Sequence, residues 1–136
     1  MLTLFRRKLE STPDEDPSPA RLIVQSADAL LSRDPISTLV RLIKRNMSVT
    51  DAVWDRHYMH AIRRFALLAQ AHPASRNHHH SEIGGLLEHS LEVTLNAVRI
   101  SRGYILPPGC DPESIRGEED RWRFGIFIAA LIHDAG

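Results

Sequence analysis

Apolar residues recur along this chain at spacings of three and four, and that period predicts helices from Arg21 onward. Leu22, Ile23, Ala27, Leu30 and Leu31 make a first stripe, which Ser32-Arg33 closes. Asp34-Pro35 reads as a helix start, with the aspartate capping free amides and the proline at the first helical position. Ile36, Leu39, Val40, Leu42 and Ile43 follow at helical spacing. Arg41, Lys44 and Arg45 lie near the end of that helix, where its dipole favours cations, so a solvated helix end is the preferred reading over a phosphate-binding patch. Ser48-Val49-Thr50-Asp51 resembles a capping box with aspartate in the last place, and it opens a long helix to about Ala71. The expected buried face of that helix is Val53, Trp54, Tyr58, Ile62, Phe65, Ala66, Leu68 and Ala69. His72-Pro73 ends it, because a residue before proline is pushed out of the α region.

Residues 74–85 are irregular by pattern. The next helix is expected from Leu86 to about Ser101, with Leu87, Leu91, Leu95 and Val98 as its stripe and Val93 and Ile100 widening it. Gly103 suits a left-handed C-cap for this helix. A Pro- and Gly-containing loop follows, and Glu118-Glu119-Asp120 bring acids to the start of a last helix. Trp122, Phe124, Ile126, Phe127, Ala130 and Leu131 make that helix almost wholly apolar, which predicts a central place in the bundle. No stretch alternates with period two for long enough to argue a strand, so the fold class is all-α over residues 21–136. Residues 1–20 read as a flexible arm: three prolines and four acids fall within residues 10–19.

Composition narrows the picture without changing it. The 136 residues allow one domain, and 43% hydrophobic with 25% charged residues is ordinary for a soluble globular protein. Seventeen basic and 17 acidic residues give zero formal charge, which counts against a molecule-wide field for nucleic acid but leaves a local patch open. A lone cysteine, Cys110, forms no internal disulfide, and the longest apolar run is far below a membrane span of roughly 20 residues. With no secretory pattern at the N-terminus, a cytoplasmic location without membrane partners is expected.

The candidate chemistry lies in the histidines. His89 stands on one apolar helix, and His133-Asp134 ends another. Helices packed side by side would bring the three onto one metal ion. A His-Asp dipeptide is common by chance, and a histidine on an apolar helix is usually a hydrogen-bonded core residue. Against that, an unpaired charge on helices this apolar is expensive to bury, and one ion would account for both placements. Imidazole and carboxylate together suit a divalent transition metal, Mn, Fe, Ni or Zn, with Mn favoured. Such an ion can activate water towards a phosphorus centre. His78-His79-His80, followed by Gly84-Gly85, reads either as a solvated polar loop or as part of a site. His57 and His60 read as surface or partly packed residues.

The stretch from His79 through Gly84-Gly85-Leu86-Leu87-Glu88-His89-Ser90-Leu91-Glu92-Val93, with Ala129-Ala130-Leu131-Ile132-His133-Asp134-Ala135-Gly136, resembles the HD metal-dependent phosphohydrolase superfamily. Within it, the triple histidine and Gln70-Ala71-His72-Pro73 are similar to the MobH-type relaxases, the TraI proteins of integrative conjugative elements and some large conjugative plasmids. The resemblance covers roughly residues 50–136. It implies an HD-like helical bundle with His89, His133 and Asp134 as metal ligands, and His79 and His80 at the metal or the scissile phosphate. It also implies a further aspartate downstream, which the sequence ends too early to include, and a lysine after the His-Asp pair that is absent here. The expectation is therefore the N-terminal part of a relaxase that nicks one DNA strand at a transfer origin, with DNA and other conjugation proteins as partners and little nuclease activity in this chain alone. The alternatives are an HD exonuclease or nucleotide phosphohydrolase, or a non-catalytic truncated helical domain. The absence of OB-like strands in the first 50 residues favours the relaxase over the exonuclease.

Overall fold

In the computed structural model, residues 24–72, 84–111 and 117–135 are described, and among them every regular element is helical. In order they are α1 (Ala27–Leu31), α2 (Ile36–Asn46), α3 (Asp51–Val53), a π turn (Trp54–Tyr58), α4 (Met59–Ala69), α5 (Gly85–Ser101) and α6 (Glu119–Ile132). The all-α expectation holds. The N-terminal arm, Leu22, Ile23 and the triple histidine lie outside the described residues.

Caps decide where the helices begin, and three begin differently from the pattern. Ser26 accepts a hydrogen bond from the Ala29 amide, so α1 starts at Ala27 rather than near Arg21. At α2 the N-cap position falls to Pro35 without a side-chain cap. Asp34 instead accepts from the hydroxyls of Ser37 and Thr38, the latter at 2.9 Å. These two bonds hold the Asp34 carboxyl below the usual carboxylate range. The long helix is capped by Thr50, whose hydroxyl accepts from the Val53 amide at 3.4 Å, two residues later than the capping-box reading.

α3, the π turn and α4 follow one another directly along the chain. The Met59 amide reaches back five residues to the Trp54 carbonyl and so widens one turn. That turn lets Trp54, Tyr58 and Ile62 face the core in steps of four, while Val53 is left 41% exposed. Leu68 is 55% exposed, since at 100° per residue it points about 120° away from buried Ile62. Both residues were expected inside.

The core gathers Ile43, Ile62, Leu87, Leu91, Phe127 and Leu131, all nearly or wholly buried. Tyr58 stacks on Trp54 at 5.4 Å and meets the rings of Phe124 and Phe127 edge-on at 5.1 and 4.8 Å, tying the π turn to α6. The central helix is α5, which packs against α6, α2 and α4; α6, expected there, lies on a flank with Trp122 and Ile132 half-exposed. α5 can sit centrally because small polar residues, Ser90, Thr94 and Ser101, occupy its buried face. Thr94 and Ser101 donate to carbonyls of their own helix, Ser90 O at 2.6 Å and Val98 O at 2.8 Å, and need no partner across the interface.

Ile100, placed in the buried stripe by its period, is exposed. Gly103 is not left-handed either. The last turn of α5 tightens, with the amides of Gly103 and Tyr104 bonding three residues back to Ile100 and Ser101, so its carbonyls are satisfied without a left-handed residue.

Two outcomes follow from this packing. Phe127→Ala should destabilise the protein by about 3–5 kcal/mol, with Ile100→Ala within about 0.5 kcal/mol of wild type, both measured by urea unfolding. Because the folded Asp34 pKa lies below its unfolded value, its contribution is present above roughly pH 4 and disappears as pH falls through the folded pKa. Asp34→Asn should therefore flatten the acid limb of stability against pH, and an unchanged limb would show that the two hydroxyl bonds do not persist in solution.

Candidate metal centre

Two helix ends build the site. The chain enters α5 through Gly84, whose φ of +90° is strained for any residue with a side chain. The Leu86 amide then donates to the His72 carbonyl at 3.2 Å, so the end of the α4 segment is tied to the first turn of α5. His89 follows one turn later. At the other side His133 occupies the C-cap of α6, and the Ala135 amide closes the turn on the Ile132 carbonyl at 3.0 Å.

The two helices run antiparallel, as contacts at both ends show. Arg123, near the start of α6, donates to Ser101 Oγ at the end of α5 at 3.3 Å. At the opposite end His89 Nε2 lies 3.4 Å from Asp134 Oδ2, and His133 Nε2 lies 3.0 Å from the same oxygen. The two imidazole rings are 5.3 Å apart between centroids. One ligating atom from each of the three residues lies within 4.8 Å of the others. The sequence-predicted meeting of His89, His133 and Asp134 is therefore present in the geometry.

The hydrogen bond behind His133 constrains its chemistry. Its Nδ1 lies 2.8 Å from the Ala130 carbonyl, an acceptor only, so Nδ1 carries the hydrogen. In neutral imidazole that leaves a lone pair on Nε2, aimed at a carboxylate oxygen that is also an acceptor. Two acceptors 3.0 Å apart repel unless a positive centre stands between them, either a proton on Nε2 or a metal ion. Donors about 2.1 Å from a shared ion stand roughly 3.0–3.4 Å apart in octahedral or tetrahedral arrangement. The two separations at Asp134 fall in that interval. A carbonyl behind a ligating histidine is also the usual second partner in metal sites. The donor set and its spacing fit a divalent transition metal.

One premise of the sequence reading does not survive. The cluster is not deeply buried: the side chains of His89, His133 and Asp134 are 33%, 32% and 46% exposed. The end of α6 emerges at the surface, so expensive burial of charge does not explain the placement. Exposure does leave room at the cluster for water or a substrate oxygen. His79 and His80 lie outside the described residues. Among the described residues, His57, His60, Asp111 and Asp120 do not join the group. His57 instead sets its ring 6.2 Å from Phe124. The part played by the Ala130 carbonyl escaped the sequence reading; its only signal was a position three residues before a histidine at a helix end.

Residues 21–136 match the family model TraI_2, whose description is "Putative helicase". No curated protein and no solved structure matches the chain.

The hydrogen bond to Ala130 predicts that neutral His133 is the Nδ1-protonated tautomer. Nitrogen-15 shifts of its ring should show a protonated Nδ1 and an unprotonated Nε2. The opposite tautomer would turn the Nε2 lone pair away from any shared site.

Proposed function

The chain belongs to the TraI_2 family, and on that footing we propose that it is part of a conjugative relaxase of the HD phosphohydrolase superfamily, MobH branch. Its reaction would be metal-dependent cleavage of one DNA strand at a transfer origin. The observation that carries this reading is the convergence of His89, His133 and Asp134, one ligating atom from each lying within 4.8 Å of the others, at the solvent-facing end of the α5–α6 pair. A divalent ion, Mn favoured among Mn, Fe, Ni and Zn, held by these three would supply Lewis-acid activation of water or of the phosphodiester.

The chain's own residues do the positioning. The Ala130 carbonyl fixes the His133 ring so that Nε2 faces Asp134. Asp134, between both imidazoles, supplies the one negative charge of the group and so limits the net charge of the loaded site. His79 and His80 are proposed to hold the scissile phosphate. The Leu86–His72 bond brings the two ends of their segment to one place, one turn from His89. DNA, as a single strand, and other conjugation proteins are the proposed partners.

An HD exonuclease or nucleotide phosphohydrolase would use the same three ligands and differ in substrate. The family description, "Putative helicase", would instead imply ATP hydrolysis. Calorimetric titration with Mn should show binding by wild type and at least tenfold weaker binding by His89→Ala, His133→Ala and Asp134→Ala. Equal affinity in all four proteins removes the shared site, and DNA-stimulated ATP hydrolysis would transfer the reading to a helicase.

A further inference from the structure

Ser90, Thr94 and Ser101 put hydroxyls on the buried face of α5, and one of the three is bonded differently from the others. Thr94 donates to the Ser90 carbonyl at 2.6 Å and Ser101 to the Val98 carbonyl at 2.8 Å, which is how a helix absorbs a hydroxyl in apolar surroundings. Ser90 is wholly buried, and its Oγ has no hydrogen-bond partner among the described residues. A hydroxyl taken out of water without a partner is costly, and alanine would fill the position without that cost.

The fold fixes what Ser90 stands beside. Ser90 and Ser101 are eleven positions apart, so at 100° per residue they point within about 20° of one another. Ser101 Oγ takes a hydrogen bond from Arg123 of α6 at 3.3 Å, so this side of α5 is the one turned to α6. Along the antiparallel register set by Ser101 with Arg123 and by His89 with Asp134, Ser90 stands level with residues 133 and 134. That is the level of the histidine cluster.

A matching acceptor lies there. Asp134 brings Oδ2 to both imidazoles, at 3.4 and 3.0 Å, while its Oδ1 accepts no hydrogen bond among the described residues. A donor without an acceptor and an acceptor without a donor thus occupy one level of one seam. Of the two ligands on α6, His133 already has a holding partner in the Ala130 carbonyl at 2.8 Å; Asp134 has no counterpart. A carboxylate that gives one oxygen to an ion turns freely unless the other oxygen is held, and ligating carboxylates in metal sites are accordingly hydrogen-bonded themselves.

We infer that Ser90 is a positioning residue of the candidate metal centre, its hydroxyl donating to Asp134 Oδ1 when the three side chains close on an ion, an inference that rests on the metal reading of the cluster. Two side-chain rotations form the bond, Ser90 about χ1 and Asp134 about χ2. The proton stays on the serine, so the charge of the site is unchanged.

The test is calorimetric titration of Mn into the 136-residue chain and its variants, paired with urea unfolding in EDTA. Ser90→Ala should bind Mn about ten- to a hundredfold more weakly than wild type, the loss expected for a partner behind a ligand. In EDTA its unfolding midpoint should equal or exceed that of wild type, because an unpaired hydroxyl has been removed. Ser101→Ala, at the same azimuth but the far end of the seam, should keep the wild-type Mn affinity. Equal Mn affinity for wild type and Ser90→Ala overturns the inference. A lower EDTA midpoint for Ser90→Ala overturns it too, since the hydroxyl would then serve the fold without the ion. An equal loss of affinity in Ser101→Ala does the same, by making seam packing the cause. Failure of the metal reading shows separately, as wild type that binds no Mn, and Ser90 then loses its role with it.

Discussion

The antiparallel seam between α5 and α6 is the constraint on which the rest depends. It is secured at one end by Arg123 on Ser101, and it closes at the other on His89 and Asp134, some dozen residues away along each helix. Two rods held at one end and in register along their length must bring their other ends together. The meeting of three ligating side chains therefore follows from packing along the whole seam rather than from attraction between the histidines, which in their neutral forms offer one another little. Close approach is possible because Thr94 and Ser101 satisfy their hydroxyls on their own backbone and add little bulk.

The π turn serves the same seam from the other side. By widening one turn it sets Trp54 and Tyr58 on the core side, and the Tyr58 ring meets Phe124 and Phe127 of α6. α6 is thus held between α5 and an aromatic cluster while its far side stays open. That open side goes with a helix apolar over nearly its whole length that is not the central one: Trp122 and Ile132 are half-exposed, and Trp122 shares the azimuth of His133. Apolar exposure and candidate chemistry lie along one line.

The amphipathic period placed five of the helical stretches and most of the core, because burial of an apolar stripe is the main force that stabilises a helix in water. It misplaced Val53, Leu68 and Ile100, each apolar but turned outward. Hydrophobicity says that a residue prefers burial, not that a neighbour exists to bury it. Caps were legible as residue types and not as positions. Ser48 and Thr50 both qualify, and which hydroxyl meets a free amide depends on backbone angles set by the turn before it. Gly103 was a fair left-handed candidate, but the last turn of α5 closed through three-residue bonds instead.

What the chain determined by itself was the all-α class, the helical stretches and the trio of His89, His133 and Asp134 as a possible ligand set, since residue type and period are local properties. Tertiary structure alone decided the antiparallel register that brings Nε2 of both histidines to one carboxylate oxygen, the tautomer imposed by the Ala130 carbonyl, and the exposure of the whole cluster. The register depends on distances between residues more than 40 positions apart, set by how side chains interlock across a seam, which no local pattern encodes; the tautomer rests on a contact only three residues away, whose geometry exists once the end of α6 is folded.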